Sequence, residues 1–412
     1  MKFDVVQLES TGIDVIDGDR GKNYPHQNEL LSTGFCLFLS AKNVTKSGFS
    51  FSETQFISQR KDALLNNGRL CRGDIVITTR GTVGNVALYS PQVPYENIRI
   101  NSGMLIIRCA NNISNQYLYQ VLRSEWFQKQ IMAVQSGSAQ PQLPKSHFLK
   151  MNIPLPPLPI QEKIASILQL IDDKITTNNS INDNLQQQLK LMYDYWFNQF
   201  DFPNEDGKPY RASGGAMEWS PDLQREIPAG WSCVPLEDIL QRNSEAFDFS
   251  SIEPTVDLSI MPSGSIALDQ VNRSDKFSTN LFRMNEGDIL FGSIRPYLKK
   301  AGIAPCNGVV AGTIHSFRVK RESDYNFALF TLCGKAFFDY AVRVSTGTKM
   351  PIVSLDSIMS YKVPYSESIV RRFNRIDVRH IICSNVQETQ KLASFRDWLL
   401  PMLMNGQATI SD

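Results

Sequence analysis

Ser136-Gly137-Ser138-Ala139-Gln140-Pro141 returns as Thr346-Gly347-Thr348-Lys349-Met350-Pro351, an offset of 210 (346 − 136), and Asn152-Ile153-Pro154 returns at the same offset as Lys362-Val363-Pro364. Two anchors at one spacing are hard to obtain by chance, so the chain is read as two long halves built on one plan. Upstream, Gly73-Asp74-Ile75-Val76 matches Gly287-Asp288-Ile289-Leu290 at 214 (287 − 73), and Leu39-Ser40-Ala41 faces Leu258-Ser259-Ile260 at 219 (258 − 39). The halves keep the order of their elements while their loops change length. A chain of 412 residues exceeds one ordinary core, which fits the doubling.

Each half reads as a globular unit followed by a helix. Asp74 to Thr78, Gly103 to Arg108 and Ile289 to Phe291 are short β-branched or aromatic runs bounded by Gly and Asn, the signature of strands. Asn115 to Ile131 and Asn326 to Val342 have the spacing of amphipathic helices. The expected fold class is α+β: two pseudo-symmetric units with twisted, mixed sheets, joined by two long antiparallel coiled-coil helices. Asp201 to Trp231 is punctuated by Asp206-Gly207-Lys208-Pro209, Ser213-Gly214-Gly215 and Ile227-Pro228-Ala229-Gly230, all turn-forming and helix-breaking. The expected organisation is therefore a first unit over 1–155, a first spacer helix over 156–200, a linker over 201–230, a second unit over 231–366, and a second helix and tail over 367–412.

From Gln161 to about Phe200 no Gly or Pro occurs. Ile164, Ile171, Asn178, Leu185 and Met192 share one heptad position, and Leu168, Ile175, Leu189 and Trp196 form a stripe beside it. That face is wider than a two-stranded seam requires. The surplus is expected to meet a partner's helices through Ile164, Ile171, Leu185, Met192 and Trp196, with Leu399 on the second helix; the plainer account is packing on the chain's own globular units. Asn178 either fixes the register or marks a wet gap. The second helix is expected from about Ser368 to Leu400, ended by Pro401 and Gly406. A helix of ~39 residues at ~1.5 Å each spans ~58 Å, which bounds how far apart it holds two domains.

Composition narrows the function. Hydrophobic residues at 42% and charged residues at 20% suit buried cores rather than disorder. Lys plus Arg number 42 against 41 Asp plus Glu, so no global field draws in a polyanion and nucleic-acid contacts must be local. Seven scattered cysteines without a Cys-x-x-Cys pair argue against a disulfide framework and a structural zinc site. No run reaches the ~18 apolar residues of a membrane span, and the start has no apolar signal core, so a cytoplasmic protein is expected.

At the entry to the long helix, Ile153-Pro154-Leu155-Pro156-Pro157-Leu158-Pro159-Ile160-Gln161-Glu162-Lys163-Ile164-Ala165 resembles the junction in specificity (S) subunits of Type I restriction-modification systems. The ending Phe395-Arg396-Asp397-Trp398-Leu399-Leu400-Pro401 to Gln407 is similar to theirs, as is the connector from Trp196-Phe197 through Asp206-Gly207-Lys208-Pro209-Tyr210 to Trp231. The resemblance implies two target-recognition domains, each reading half of a split site in double-stranded DNA, and a coiled-coil spacer that sets the gap. It implies two modification subunits, which bind S-adenosylmethionine and methylate adenine, docked on that spacer. Restriction/translocase subunits join them. ATP and Mg belong to those partners, and the specificity subunit has no cofactor and does no chemistry. The second junction, Val363-Pro364-Tyr365-Ser366-Glu367, departs from the pattern: it lacks the Pro-rich run and the Gln-Glu pair, which leaves the start of the second helix open. The alternatives are a specificity subunit of a methyl-only system and a protein-interaction scaffold that binds no DNA.

Reading DNA requires cations for phosphates and Arg, Lys, Asn, Gln or Ser on loops for base edges. Arg80 and Asn85 lie in Thr78 to Asn85, after a predicted strand; Arg295, Lys299 and Lys300 are their counterparts. Ser136, Ser138, Gln140 and Gln142, and in the second half Arg343, Thr346 and Lys349, stand in polar, nearly acid-free loops before each spacer. Lys42, Asn43 and Lys46, with Arg273 and Lys276, are basic loop residues for which a solvated surface is the plainer account. Asp17 to Pro25 is a dense turn cluster whose nearest counterpart is Gln241-Arg242-Asn243, an asymmetry that unlike half-sites need.

Catalytic motifs are missing from the sequence. Pro156-Pro157 is not preceded by Asn or Asp or followed by an aromatic residue, as an adenine methyltransferase's base-gripping loop requires. Pro221-Asp222-Leu223-Gln224-Arg225-Glu226 lacks the trailing lysine of a metal-dependent nuclease. No phosphate-binding Gly-x-x-x-x-Gly-Lys-Ser/Thr loop and no Gly-x-Ser-x-Gly elbow occurs. His26, His147, His315 and His380 have no ligand spacing, and His315 beside a strand-like run reads as a core residue.

Overall fold

The repeat is realised most fully in one four-stranded sheet per unit of the computed structural model, which describes residues 3–134 and 141–408. Two compact units form: Met1–Asp173 with Ala393–Asp412, and Lys174–Leu392. In the first, strands Asp14–Asp17, Met104–Arg108, Ile75–Thr78 and Val86–Leu88 make an antiparallel sheet in that order. In the second, Leu240–Asn243, Ile314–Val319, Ile289–Gly292 and Ala301–Ile303 repeat it. A second sheet in each unit contains one parallel pair, Cys36–Leu39 with Ile98–Ile100 and Pro254–Val256 with Gly308–Ala311. The fold class is α+β, as expected.

The repeated Gly-Asp motif has a structural cause. Gly73 and Gly287 take φ of 92° and 84°, a region that glycine enters without a Cβ penalty. The next aspartate is buried and closes the turn by accepting a backbone N–H, from Cys71 at 2.7 Å and from Asn285 at 2.9 Å. Each also pairs with an arginine on the neighbouring strand of the sheet: Asp74 with Arg108 at 2.8 and 2.9 Å, Asp288 with Arg318 at 2.9 Å. Arg108 and Arg318 are therefore framework cations. The predicted helices over 115–131 and 326–342 are each two helices, Asn115–Arg123 with Glu125–Val134 and Tyr325–Leu332 with Lys335–Val344.

The long helix runs Leu158–Tyr193 and ends in one π turn, Asp194–Asn198. Within the first unit, Ile164, Ala165 and Leu168 enter a core with Tyr117, Leu118, Leu400 and Leu403. Within the second, Leu189, Tyr193 and Phe197 join Phe327, Phe330 and Phe373. The second helix is not one run from Ser368. Glu367–Phe373 stops, and Asp377 restarts the chain by accepting the His380 N–H at 3.0 Å, giving Val378–Met404. In the second unit Asn178 donates to Glu388 at 2.7 Å and Asn385 to Asn182 at 2.8 Å, so one helix's numbers fall as the other's rise: the pairing is antiparallel. In the first unit Arg396 donates to Asp172 at 2.7 Å. Asn178, 1% exposed, is a seam residue whose amide is spent on the facing helix.

Pro401 does not end the second helix; it lies inside it. A proline forfeits one donor and crowds the preceding turn, but Leu400, Leu403 and Met404 on either side of it are buried in the first unit's core, which offsets the loss. Gly406, at φ 65°, closes the helix with the Gln407 N–H on the Met402 carbonyl at 2.9 Å. The stretch expected as a linker over 201–230 is folded into the second unit. Met217–Ser220 pairs with Arg225–Pro228, and Phe202 stacks on Tyr210 and Trp231 with ring centroids 4.7 and 5.1 Å apart.

Candidate nucleic-acid interface

Two loops distant in sequence meet at the end of the same strand in each unit. In the first, Ile75–Thr78 leads into a turn held by the Asn85 N–H on Thr78 Oγ1 at 3.0 Å and by Thr78 Oγ1 donating to the Thr82 carbonyl. Its rim pairs with the returning chain: the Leu143 N–H donates to the Thr79 carbonyl at 3.0 Å, and Arg80 bridges Gln142. In the second, Val353 N–H donates to the Ser293 carbonyl at 3.0 Å, Arg295 N–H to the Pro351 carbonyl at 2.7 Å, and Ile294 bridges Ile352. Gln142 and Ile352 are thus equivalent positions.

Arg80 is exposed beside half-buried Gln142. Asn85 donates to the Val44 carbonyl at 2.9 Å, which ties in the hairpin whose turn carries exposed Lys46. In the second unit Arg295 and Lys299 are exposed at φ 51° and 52°, flanking the single 3-10 turn Pro296–Leu298. Left-handed backbone at a non-glycine residue costs of order 1–3 kcal/mol and persists where the surroundings over-determine it. Here it turns both cations to the rim. Arg343, Thr346 and Lys349 are exposed on the neighbouring loop. The Asp339 carboxyl is held below its ordinary range first by the Lys335 hydrogen bond and then by Lys299 and Arg343, which puts those two cations in one field.

Other candidates are spent elsewhere. Asn43 is 3% exposed; its amide donates to the Ser50 and Glu53 carbonyls at 3.1 and 2.7 Å and its oxygen accepts the Ser40 N–H, so it is a loop brace with no amide hydrogen left for a base. Lys300 is turned inward, donating to the Leu258 carbonyl. Lys42 is paired with Glu53 at 3.0 Å and Arg273 with Asp275 at 2.9 Å, both on open surface, and Lys276 is exposed with Nζ 3.5 Å from Asn272. Ser136, Ser138 and Gln140 lie outside the described residues.

The expected partner face needs correcting. Ile164 is 1% and Ile171 9% exposed, and Leu185, Trp196 and Leu399 pack against the cores of their own units. The surplus width of the stripe is covered by the chain itself. Met192 alone of that set is open, at 37%. The most exposed apolar side chains of the two long helices lie off the seam: Leu170 at 69% and Trp398 at 57% in the first unit, Leu191 at 70% in the second. Leu170 and Leu191 share a heptad position that a solitary amphipathic helix gives to polar residues, and that was the signal available in the sequence.

Among the described residues no group of three or more His, Cys, Asp or Glu is placed to hold a metal ion, and no helix is long and apolar enough to cross a membrane. Residues 11–187 match the family model described as the Type I restriction modification DNA specificity domain. The Type I restriction enzyme MjaIX specificity subunit of Methanocaldococcus jannaschii is 23% identical over 357 residues, covering 83% of this chain and 79% of that one. The HindI specificity subunit of Haemophilus influenzae is 24% identical over 222 residues, covering 53% and 46%. In fold, the crystal structure of the S subunit of a Type-I restriction-modification system from M. genitalium aligns over 100% of this chain and 97% of its own, at 14% identity and a TM-score of 0.56.

Proposed function

We propose that this chain, a specificity subunit of a Type I restriction-modification system, reads a bipartite, asymmetric site in double-stranded DNA with one unit on each half. It is the non-catalytic member of its complex. The observation that carries the reading is the loop pair built twice: Arg80 beside Gln142 in one unit, and Arg295 tied to Pro351 beside Ile352 in the other. Each pair presents an exposed guanidinium, the group suited both to phosphate and to the guanine edge. The recognition domains are assigned to 1–155 and 231–366, with the helices of 156–200 and 367–412 setting the gap between half-sites. Two adenine methyltransferase subunits carrying S-adenosylmethionine, and restriction/translocase subunits using ATP and Mg, complete the assembly in the cytoplasm.

Co-expression with the neighbouring genes, followed by mapping of methylated adenines across the genome, tests this. Two short motifs at a fixed gap, absent when the chain is omitted, are expected; methylation indifferent to this chain would sink the proposal. Arg80→Ala and Arg295→Ala are each expected to weaken binding to the mapped site by about 5- to 150-fold if the guanidinium reaches a base. If it reaches a phosphate instead, the salt dependence of log affinity should flatten by about one unit per contact. A variant with unchanged affinity and slope would remove that arginine from the interface.

Leu191→Asp is expected to abolish co-purification of the methyltransferase with no change in melting temperature, because the side chain is 70% exposed. Ile171→Asp, placed in the first unit's interior, should instead unfold it. Assembly retained by Leu191→Asp would exclude this helix face as the dock.

A further inference from the structure

Exposed apolar side chains share the two paired loops that carry the second unit's cations, at a position where the first unit has a polar one. Ile352 is 44% exposed, Met350 51% and Tyr297 51%, while the position equivalent to Ile352 in the first unit is Gln142. Ile352 is not a loose loop residue. Its N–H donates to the Thr346 carbonyl and its carbonyl accepts the Thr346 N–H, both at 2.9 Å, so the backbone beneath a stiff β-branched side chain is fixed. The adjoining Pro351 carbonyl holds the Arg295 N–H at 2.7 Å. Segments 292–300 and 343–352 expose Arg295, Lys299, Arg343 and Lys349 and contain no Asp or Glu.

Cations and exposed apolar side chains on one pair of joined loops fit one feature of a DNA duplex. The cations answer the phosphates, and in the major groove the apolar group on an unmodified base edge is the C5-methyl of thymine. Glutamine at the same position fits adenine, whose N6 and N7 it pairs bidentately. We propose that the second unit reads thymine through its methyl group, with Ile352 and Met350 as the contacting side chains, while the first unit reads a polar base edge at the matching position. This rests on the DNA-reading function proposed above, and it gives the asymmetry of the two half-sites a chemical content.

The test uses the full chain in complex with its methyltransferase and duplexes of the mapped site in which each thymine in turn is replaced by 2′-deoxyuridine, which lacks only the methyl. One replacement, in one half-site, is expected to weaken binding about fourfold, the equivalent of one methyl group taken out of water. An Ile352→Ala, Met350→Ala chain should bind the thymine and deoxyuridine duplexes equally, and bind the deoxyuridine duplex about as well as the unaltered chain does, which shows that it is folded. Arg295→Ala should weaken both duplexes and keep the discrimination. Indifference of the unaltered chain to every replacement while it still binds the site would overturn the proposal. So would discrimination that survives the double substitution. A complex that binds no DNA would sink the DNA-reading function itself, an outcome separate from these.

Discussion

Asp62→Ala is expected to destabilise the first unit by about 3–5 kcal/mol, the cost of leaving a buried charge without its partner. The Asp62 and Arg99 side chains are 5% and 7% exposed and meet at 2.6 Å. Arg99 spends its other donors on the Asn67, Leu65 and Asp62 carbonyls at 2.6, 3.0 and 3.1 Å, and Arg69 also reaches the Asp62 carboxylate. Without that carboxylate the guanidinium stays charged in the interior, since arginine does not deprotonate in proteins. The damage should spread to the turn cluster over 17–25, because Asp19 holds it by accepting N–H groups from Gly21 and Asn66, both at 2.8 Å, and Asn66 sits in the loop that Arg99 braces. Hydrogen exchange in Cys36–Leu39 and Ile98–Ile100 isolates this unit from the other. Cys36 supplies a second readout: its thiol is pushed up to about 12 by burial and then by Asp62, so its alkylation, slow in the unaltered chain, should accelerate. Asp62→Leu with Arg99→Met should recover most of the loss, because no uncompensated charge remains. Protection in Asp62→Ala within about 1 kcal/mol of the unaltered chain would contradict the account.

The doubled plan is legible in the sequence in part because one of its anchors is a turn, whose residues are dictated by backbone geometry. Gly73-Asp74 and Gly287-Asp288 recur because a left-handed glycine and a turn-closing aspartate are needed wherever that turn is built. The pairing of the Arg80 and Arg295 loops with the loops before each spacer is not legible there, although each loop has the polar composition of a DNA contact. Cross-strand bridges between segments some sixty residues apart leave no local periodicity. Helix periodicity shows which residues share a face but not what covers it, so it points to Ile164 and Ile171 as partner contacts although their own unit buries them. Asn43 and Lys300 misled for a related reason: a polar residue in a basic loop looks available until its partners are known, and both are taken up by backbone carbonyls.

Acidification from pH 6.5 to about 4 is expected to cost the second unit about 3 kcal/mol through His315 alone. The imidazole is 9% exposed, lies 5.9 Å from the Phe317 ring, and has Nδ1 without a hydrogen-bond partner. Burial first, and then the Arg242 charge, lower its pKa from 6.5 to about 4. The folded unit therefore binds this proton more weakly than the unfolded chain does. The contribution is complete above the unfolded value, is lost as pH falls through the interval, and does not grow further below the folded value. The repeat supplies the control. His315 pairs with Phe291 in the central strands of its sheet as Leu105 pairs with Ile77 in the first unit, so leucine is the residue that the same plan accepts in that register. His315→Leu should leave the fold intact and remove the step, so that its unfolding free energy, measured in urea, stays about 3 kcal/mol higher relative to the unaltered chain at pH 4 than at pH 7. Carboxylates that titrate in the same interval contribute to both chains and cancel in that difference. A difference between the two chains that does not change with pH would exclude His315 as the titrating group.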